Sequence, residues 1–169
     1  MGIYLNSDDT DFRSAVKYSR IYVDKTELIR YTNSVLFGEQ KYICVSRPRR
    51  FGKSMAANML TAYYSRGCDS RGLFQGLKIA THPDFEKHLN QYNVIHLNMR
   101  DYLTESENMK QLIQFVEDDL LDELQQEFSD LRICDGREYK AERAGRKAVH
   151  RVKYRQVRAV RVRRFAGIV

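Results

Sequence analysis

The sequence predicts an α/β fold in which a parallel sheet is flanked by helices. The first observation is a pair of apolar runs of strand type, at residues 41–46 and 93–98. The second is that helical patterns without Pro or Gly follow them, at residues 53–65 and 105–128. Strands that alternate with helices are typical of parallel sheets.

The third observation is a basic loop between the first strand and its helix. Residues 47–54 read Arg-Pro-Arg-Arg-Phe-Gly-Lys-Ser, and the last three match the end of the phosphate-binding P-loop signature. Arg47 stands where that signature has its first Gly. Because Pro48 holds the preceding residue extended, Arg47 should prolong the strand without a glycine-like torsion. The sequence therefore predicts a P-loop NTPase fold.

The residues of this loop have distinct expected roles in binding ATP and Mg²⁺. Gly52 lets the backbone approach a phosphate, Lys53 places an ammonium group against the β- and γ-oxygens, and the Ser54 hydroxyl ligates Mg²⁺. Backbone amides at the start of the helix complete the cradle, where the helix dipole places about half a positive charge. The predicted nucleotide-binding residues are Arg50, Phe51, Gly52, Lys53, Ser54 and Met55, and Ser54 is the predicted metal ligand.

The Gly-Lys-Ser tripeptide is a weak signal by itself, because it should occur by chance in roughly one chain in ten of this length. The alternative is a basic strand-to-helix turn in an ordinary α/β domain. The apolar strand before the loop and the strong helix after it favour the nucleotide site.

The other segments of residues 1–136 are predicted in less detail. Residues 11–23 are expected to be irregular, with a short extended piece at 20–23, and Asp24 suits the N-cap of a helix that ends near Leu36. A short amphipathic piece is expected at residues 72–77 and a helical segment at 83–91.

The sequence shows no acidic residue at the position that ATP hydrolysis requires. A Walker B acid ends an apolar strand beside the P-loop strand, where it holds the Mg²⁺ shell. Asp101 follows the strand at 93–98 and could approach a nucleotide, but a loop acid is the favoured interpretation. Residues 117–119, Glu-Asp-Asp, lie inside a predicted helix and are interpreted as a solvated face. Catalytic residues are therefore unassigned, and whether the chain is an enzyme stays open.

The net charge of +7 is unevenly distributed. Residues 1–136 contain 17 Lys or Arg and 20 Asp or Glu, for a net charge of −3. Residues 137–169 contain 12 and 2, for a net charge of +10. This tail is rich in Arg and Val and contains no Leu, Ser, Thr, Asn, Asp, Pro, Met or Cys. We therefore place a boundary after residue 136.

Three interpretations of the tail compete. The first is a basic arm that binds nucleic acid or another anionic surface. The second is a poorly ordered basic tail, and the third is a non-native sequence translated in a shifted frame. We favour the shifted frame, which explains the abrupt break in composition. The coding DNA around codon 136 decides this question, because a native alternative frame should encode a hydrophobic strand that ends in Asp-Glu.

The cysteines and the termini bear on cellular location. Cys44, Cys68 and Cys134 are widely spaced and lack a CxxC pattern, which argues against a disulfide framework or a zinc site. Cys44 is expected to be a small buried residue of the first strand. No apolar run approaches the roughly 20 residues of a membrane span, and residues 1–9 do not resemble a signal peptide. We expect a cytoplasmic protein with no membrane partner.

Three segments in order resemble the N-terminal part of a bacterial and archaeal AAA-ATPase-like family. They are Arg-Ile-Tyr-Val-Asp-Lys-Thr-Glu-Leu-Ile at 20–29, Ser-Arg-Pro-Arg-Arg-Phe-Gly-Lys-Ser-Met at 46–55, and Leu-Phe-Gln-Gly-Leu-Lys-Ile at 73–79. The family's own variant Walker A motif is Arg-Pro-Arg-Arg-Phe-Gly-Lys-Ser. The missing first glycine is thus a family trait.

The resemblance covers about residues 10–130. It implies ATP binding at residues 47–54, whereas Asp24, Lys25 and Thr26 match a family motif of unassigned chemistry, with helix capping as the alternative. Family members continue with a Walker B strand, and many carry a restriction-endonuclease-like domain. Neither has a recognisable counterpart here. The leading hypothesis is an incomplete P-loop NTPase domain that binds ATP, with a nucleic-acid-binding protein or an inactive fragment as alternatives.

Overall fold

The computed structural model describes residues 2–128 and the backbone of residues 159–162. In chain order the elements are α1 Thr10–Tyr18, α2 Glu27–Val35, α3 Lys53–Tyr64, α4 Arg71–Phe74, a 3₁₀ helix Lys78–Thr81, α5 Phe85–His88, β1 Asn93–His96, α6 Met99–Glu105, α7 Met109–Glu127 and β2 Ala159–Val162. They fall into two compact units, one running to Met99 and including β2, the other beginning at Arg100.

The core of the first unit surrounds α3, which is buried around most of its circumference. Its buried residues are Ala56, Ala57, Met59, Leu60, Thr61, Ala62, Tyr63 and Tyr64. Phe74 of α4 stacks on Phe12 of α1 at 5.2 Å between ring centroids and meets Tyr63 edge-on at 5.6 Å. A helix that is apolar on all sides is expected at the centre of a fold. The predicted helix at 53–65 is therefore confirmed.

The hydroxyls of the buried tyrosines have partners. Tyr63 donates to the carbonyl oxygen of Phe85 at 2.7 Å, and Tyr64 donates to Asn33 Oδ1 at 2.6 Å. Burial raises the pKa of Tyr63 to about 12 and also raises the pKa of Tyr64. These bonds connect α3 to α2 and α5 through polar groups that would otherwise be costly to bury.

β1 has backbone neighbours on both sides. It pairs in parallel with β2, with Asn93 opposite Ala159 and His96 opposite Val162. On its other side Asn6 donates from its backbone N–H to the Val94 carbonyl oxygen at 2.8 Å. The predicted strand at 93–98 is confirmed, and one parallel strand pair is present in the described part of the chain.

The predicted P-loop strand at 41–46 is wrong. These residues form no strand, the Tyr42 side chain is 84% exposed, and Cys44 is exposed instead of buried. A strand requires a neighbour for its backbone groups. Among the described residues none pairs with this segment. The predicted parallel sheet beside the basic loop is consequently not part of the described structure.

The N-terminal region contains a helix where an irregular segment was expected. α1 begins at Thr10, whose backbone N–H and hydroxyl both donate to the Asp8 carboxylate, at 3.1 and 2.8 Å. Arg13 forms an ion pair with Asp9 one turn earlier. A polar residue just before a helix satisfies amides that lack intrahelical acceptors. The sequence Asp-Asp-Thr was therefore a missed start signal.

The second unit contains two helices where one was predicted. α6 ends at Glu105, and α7 begins after Asn108, whose side chain caps it by accepting from the Gln111 N–H at 3.0 Å. Tyr102 donates to Asp119 Oδ2 at 2.9 Å and joins the two helices. No helix in residues 2–128 combines the length and the apolar character needed to cross a membrane.

Candidate functional site

The basic loop before α3 alternates between left-handed and ordinary backbone torsions. Arg50 has a φ of 69° and Gly52 a φ of 72°, while Phe51 between them has a negative φ. Alternation of this kind turns successive N–H groups toward one side and forms a concavity that binds anions. Arg47 does not adopt a positive φ, as expected, whereas the left-handed Arg50 was not foreseen.

α3 begins directly at the end of this loop. Its first helical bond runs from the Ala56 N–H to the Gly52 carbonyl oxygen at 2.9 Å, so Lys53 and Ser54 occupy the first turn. The 12-residue helix directs the positive end of its dipole at the loop, and its first turn contains no acid. These features favour a bound anion.

Lys53 folds back over the loop. Its ammonium group donates to the Arg47 carbonyl oxygen at 2.6 Å. The contact joins the first residue of α3 to the first residue of the loop and keeps the ammonium group beside the loop backbone. A carbonyl oxygen is a neutral acceptor, and a phosphate oxygen binds an ammonium group more strongly.

A second lysine, which the sequence left without a role, reaches the same loop. Lys25 donates from Nζ to the Phe51 carbonyl oxygen at 2.9 Å. A Cβ added to Gly52 would lie 2.7 Å from Lys25 Nζ, closer than such atoms approach in proteins. The left-handed torsion of Gly52 favours glycine, and a larger residue there would also displace the Lys25 ammonium group.

The residues on either side of Lys25 fix its backbone. Asp24 Oδ1 accepts from the backbone N–H of Thr26 at 2.8 Å and from its hydroxyl at 2.6 Å. Asp24 Oδ2 accepts from the Lys78 N–H at 2.8 Å, and Thr26 Oγ1 accepts from the Ile79 N–H at 3.2 Å. We refer to residues 24–26 with these bonds as the 24–26 junction. It joins the start of α2 to the 3₁₀ helix.

Asp24 is held as a carboxylate. Partial burial opposes its ionisation, but the hydrogen bonds from Thr26 and Lys78 outweigh this effect and lower the pKa of Asp24. The N-cap of α2 is Thr26, two residues after the predicted Asp24. The Thr26 side chain makes no capping hydrogen bond to α2, so the predicted N-cap at Asp24 is wrong. The two side chains instead bind each other and the 3₁₀ helix, and Lys25 is the residue of this motif whose side chain reaches the loop.

The predicted site residues lie together at the loop and the first turn of α3. Arg50, Phe51 and Ser54 are exposed, and Gly52 and Lys53 are half-buried. Met55 packs its side chain against the core, so it could contribute only its backbone amide to a ligand. The assignment of these residues to nucleotide and of Ser54 to Mg²⁺ stays a prediction.

The acids considered from the sequence belong to the other unit. Asp101 lies in the first turn of α6, and residues 117–119 lie in α7, where Asp119 accepts the bond from Tyr102. Within residues 2–128 no three His, Cys, Asp or Glu side chains are grouped closely enough to hold a metal ion.

Comparison with known protein families shows which family the chain belongs to. The model of a family described as predicted AAA-ATPase matches residues 9–161. The chain belongs to this AAA-ATPase-like family. The match contains all three segments that carried the resemblance and extends past residue 130 to include most of β2. No curated protein and no solved structure matches this AAA-ATPase-like chain. The domain boundary after residue 136 stays a prediction.

Proposed function

We propose that this AAA-ATPase-like chain binds ATP together with Mg²⁺ through the variant Walker A loop at residues 47–54. The observation that carries the proposal is the geometry at Gly52. There a left-handed loop that can present backbone N–H groups runs into the positive end of a 12-residue helix, beside the ammonium group of Lys53. Anionic phosphate groups fit this combination of amides, dipole and cation.

Each residue of the loop has a defined part in the proposed site. The amides from Arg50 to Met55 surround the phosphates, and the Lys53 ammonium exchanges the Arg47 carbonyl for phosphate oxygens. Ser54 is an exposed residue of the first turn of α3, and its hydroxyl is the proposed ligand of Mg²⁺. When bound, Mg²⁺ neutralises charge on the β- and γ-phosphates. The Phe51 side chain is exposed beside the loop.

We expect binding without efficient hydrolysis. Phosphoryl transfer to water requires a group that organises the metal shell and orients the attacking water. The sequence contains no recognisable apolar strand ending in an acid pair, and catalytic residues stay unassigned. A steady ATP turnover that is abolished by Lys53→Ala would contradict this expectation.

A titration with a fluorescent ATP analogue and Mg²⁺ tests the proposal. Lys53→Ala should weaken binding by at least about tenfold, because a charge-assisted hydrogen bond contributes roughly 1.5–3 kcal/mol. Lys17→Ala removes an exposed ammonium group at the end of α1 and serves as the control for net charge. Curves that coincide for the parent chain and Lys53→Ala would disprove nucleotide binding at this loop.

A further inference from the structure

The three segments that characterise this chain are joined through residues 24–26. The 24–26 junction binds the 3₁₀ helix through Lys78 and Ile79, while Lys25 itself binds the loop through Phe51. Asp24 and Thr26 therefore secure the backbone on both sides of a residue whose side chain points to the candidate site.

The backbone of Lys25 is fixed by its neighbours, whereas its ammonium group is exposed and held by a single hydrogen bond. Thr26 is fully buried, and its hydroxyl is bonded both to Asp24 and to the Ile79 N–H. The Lys25 side chain, in contrast, is exposed and held at its end by one neutral acceptor, the Phe51 carbonyl oxygen. The ammonium group can consequently exchange that carbonyl for a stronger acceptor without disturbing the junction.

Two ammonium groups thus rest on two carbonyl oxygens of one short loop. Lys53 binds the Arg47 carbonyl and Lys25 binds the Phe51 carbonyl. Within residues 2–128 neither lysine forms an ion pair with a carboxylate. Two uncompensated positive charges beside a helix N-terminus create a local field suited to a ligand with several negative charges.

We propose that Lys25 is a second phosphate-binding cation of the nucleotide site, acting beside Lys53 on the terminal phosphates of a nucleoside triphosphate. This inference rests on the proposed function and assigns a role to the motif at residues 24–26. When the ligand binds, the Lys25 ammonium leaves the Phe51 carbonyl oxygen and donates to a phosphate oxygen. A Cβ at Gly52 would lie 2.7 Å from this ammonium group and would displace it.

Equilibrium titration of the full chain with a fluorescent ATP analogue and Mg²⁺ measures this role. Lys25→Met should weaken binding by about tenfold or more, since it removes one charge-assisted hydrogen bond. Lys25→Arg keeps the positive charge and should retain most of the affinity. Lys17→Met, the matched loss of an exposed charge, should change the affinity by less than about twofold.

Competition experiments identify the part of the ligand that Lys25 contacts. Unlabelled ATP, tripolyphosphate and adenosine are each used to displace the analogue. Lys25→Met should weaken competition by ATP and tripolyphosphate but not by adenosine. An equal loss for adenosine would overturn the proposal, because it would mean that Lys25 only maintains the shape of the loop.

Chemical labelling tests the same contact without a substitution at Lys25. Saturating ATP should slow acetylation of Lys25 in the parent chain, measured by mass spectrometry, and leave Lys17 unchanged. The protection should disappear in Lys53→Ala, which binds ATP poorly. Acetylation of Lys25 at the same rate with and without bound ATP would overturn the proposal, whether or not Lys25→Met folds.

The results separate this inference from the proposed function. If the parent chain binds ATP, Lys53→Ala does not, and Lys25→Met matches the parent, then the nucleotide site stands and Lys25 is not part of it. If the parent chain does not bind ATP at all, both proposals fail.

Discussion

At the scale of single residues, the loop depends on torsions that the sequence only partly indicated. Gly52 was expected to be glycine because phosphate must approach the backbone, and its left-handed torsion agrees with that role. The left-handed Arg50 was not predictable, because no local signal distinguishes it from Arg49. Lys25 was missed because its contact with Phe51 joins residues 26 positions apart and leaves no local pattern.

Substitution of Gly52 should be costly in two ways. Gly52→Ala places a Cβ on a left-handed residue, which costs roughly 1–2 kcal/mol, and displaces the Lys25 ammonium group. Urea unfolding measures the first effect and ATP binding the second. Gly72→Ala is the control, because a Cβ there meets nothing within 4 Å. A Gly52→Ala variant as stable and as tightly binding as Gly72→Ala would contradict both expected effects.

At the scale of elements, prediction succeeded where a segment carries its own pattern. α3 and β1 lie within a residue or two of their predicted bounds, because α3 is a long apolar helix and β1 has neighbours on both sides. Residues 41–46 have an equally apolar pattern but form no strand, because a strand is defined by its partner and not by its composition. Pairing is a non-local property.

The 24–26 junction should be important for stability as well as for position. Thr26→Val removes the hydroxyl that bonds Asp24 and the Ile79 N–H in a fully buried location, and should lower the free energy of unfolding by about 1–3 kcal/mol. Thr26→Ser keeps the hydroxyl and loses one methyl group, at about 0.8 kcal/mol. Urea unfolding compares them, and a Thr26→Ser variant less stable than Thr26→Val would refute the role of the hydroxyl.

At the scale of the whole molecule, the family match and the charge distribution divide the chain at different positions. The family match covers residues 9–161 and includes most of the segment that the composition sets apart. Apart from β2, residues 137–169 lie outside the described residues, so the three interpretations of this segment stay predictions. The net charge of +10 in these 33 residues nevertheless has a measurable consequence.

If residues 137–169 act as a basic arm, binding to duplex DNA should fall steeply with salt. Each neutralised phosphate contributes a slope of about 0.9 in log K against log salt concentration. Replacing Arg143, Arg146 and Arg151 with Gln should lower that slope, whereas three Gln substitutions at exposed basic residues of the first unit should not. Those control positions are Lys17, Arg20 and Lys87. Equal slopes for both triple variants would exclude the arm.

The burial of α3 on nearly all sides also limits how the site can adapt to a ligand. The helix whose first turn belongs to the proposed site is the same helix that fills the centre of the first unit, so it cannot tilt or slide without opening the core. Adjustment is confined to the exposed residues before Gly52 and to the tips of Lys25 and Lys53. In the proposed site the part contributed by α3 is thus preorganised, and we expect the entropic cost of binding to fall mainly on a few loop residues.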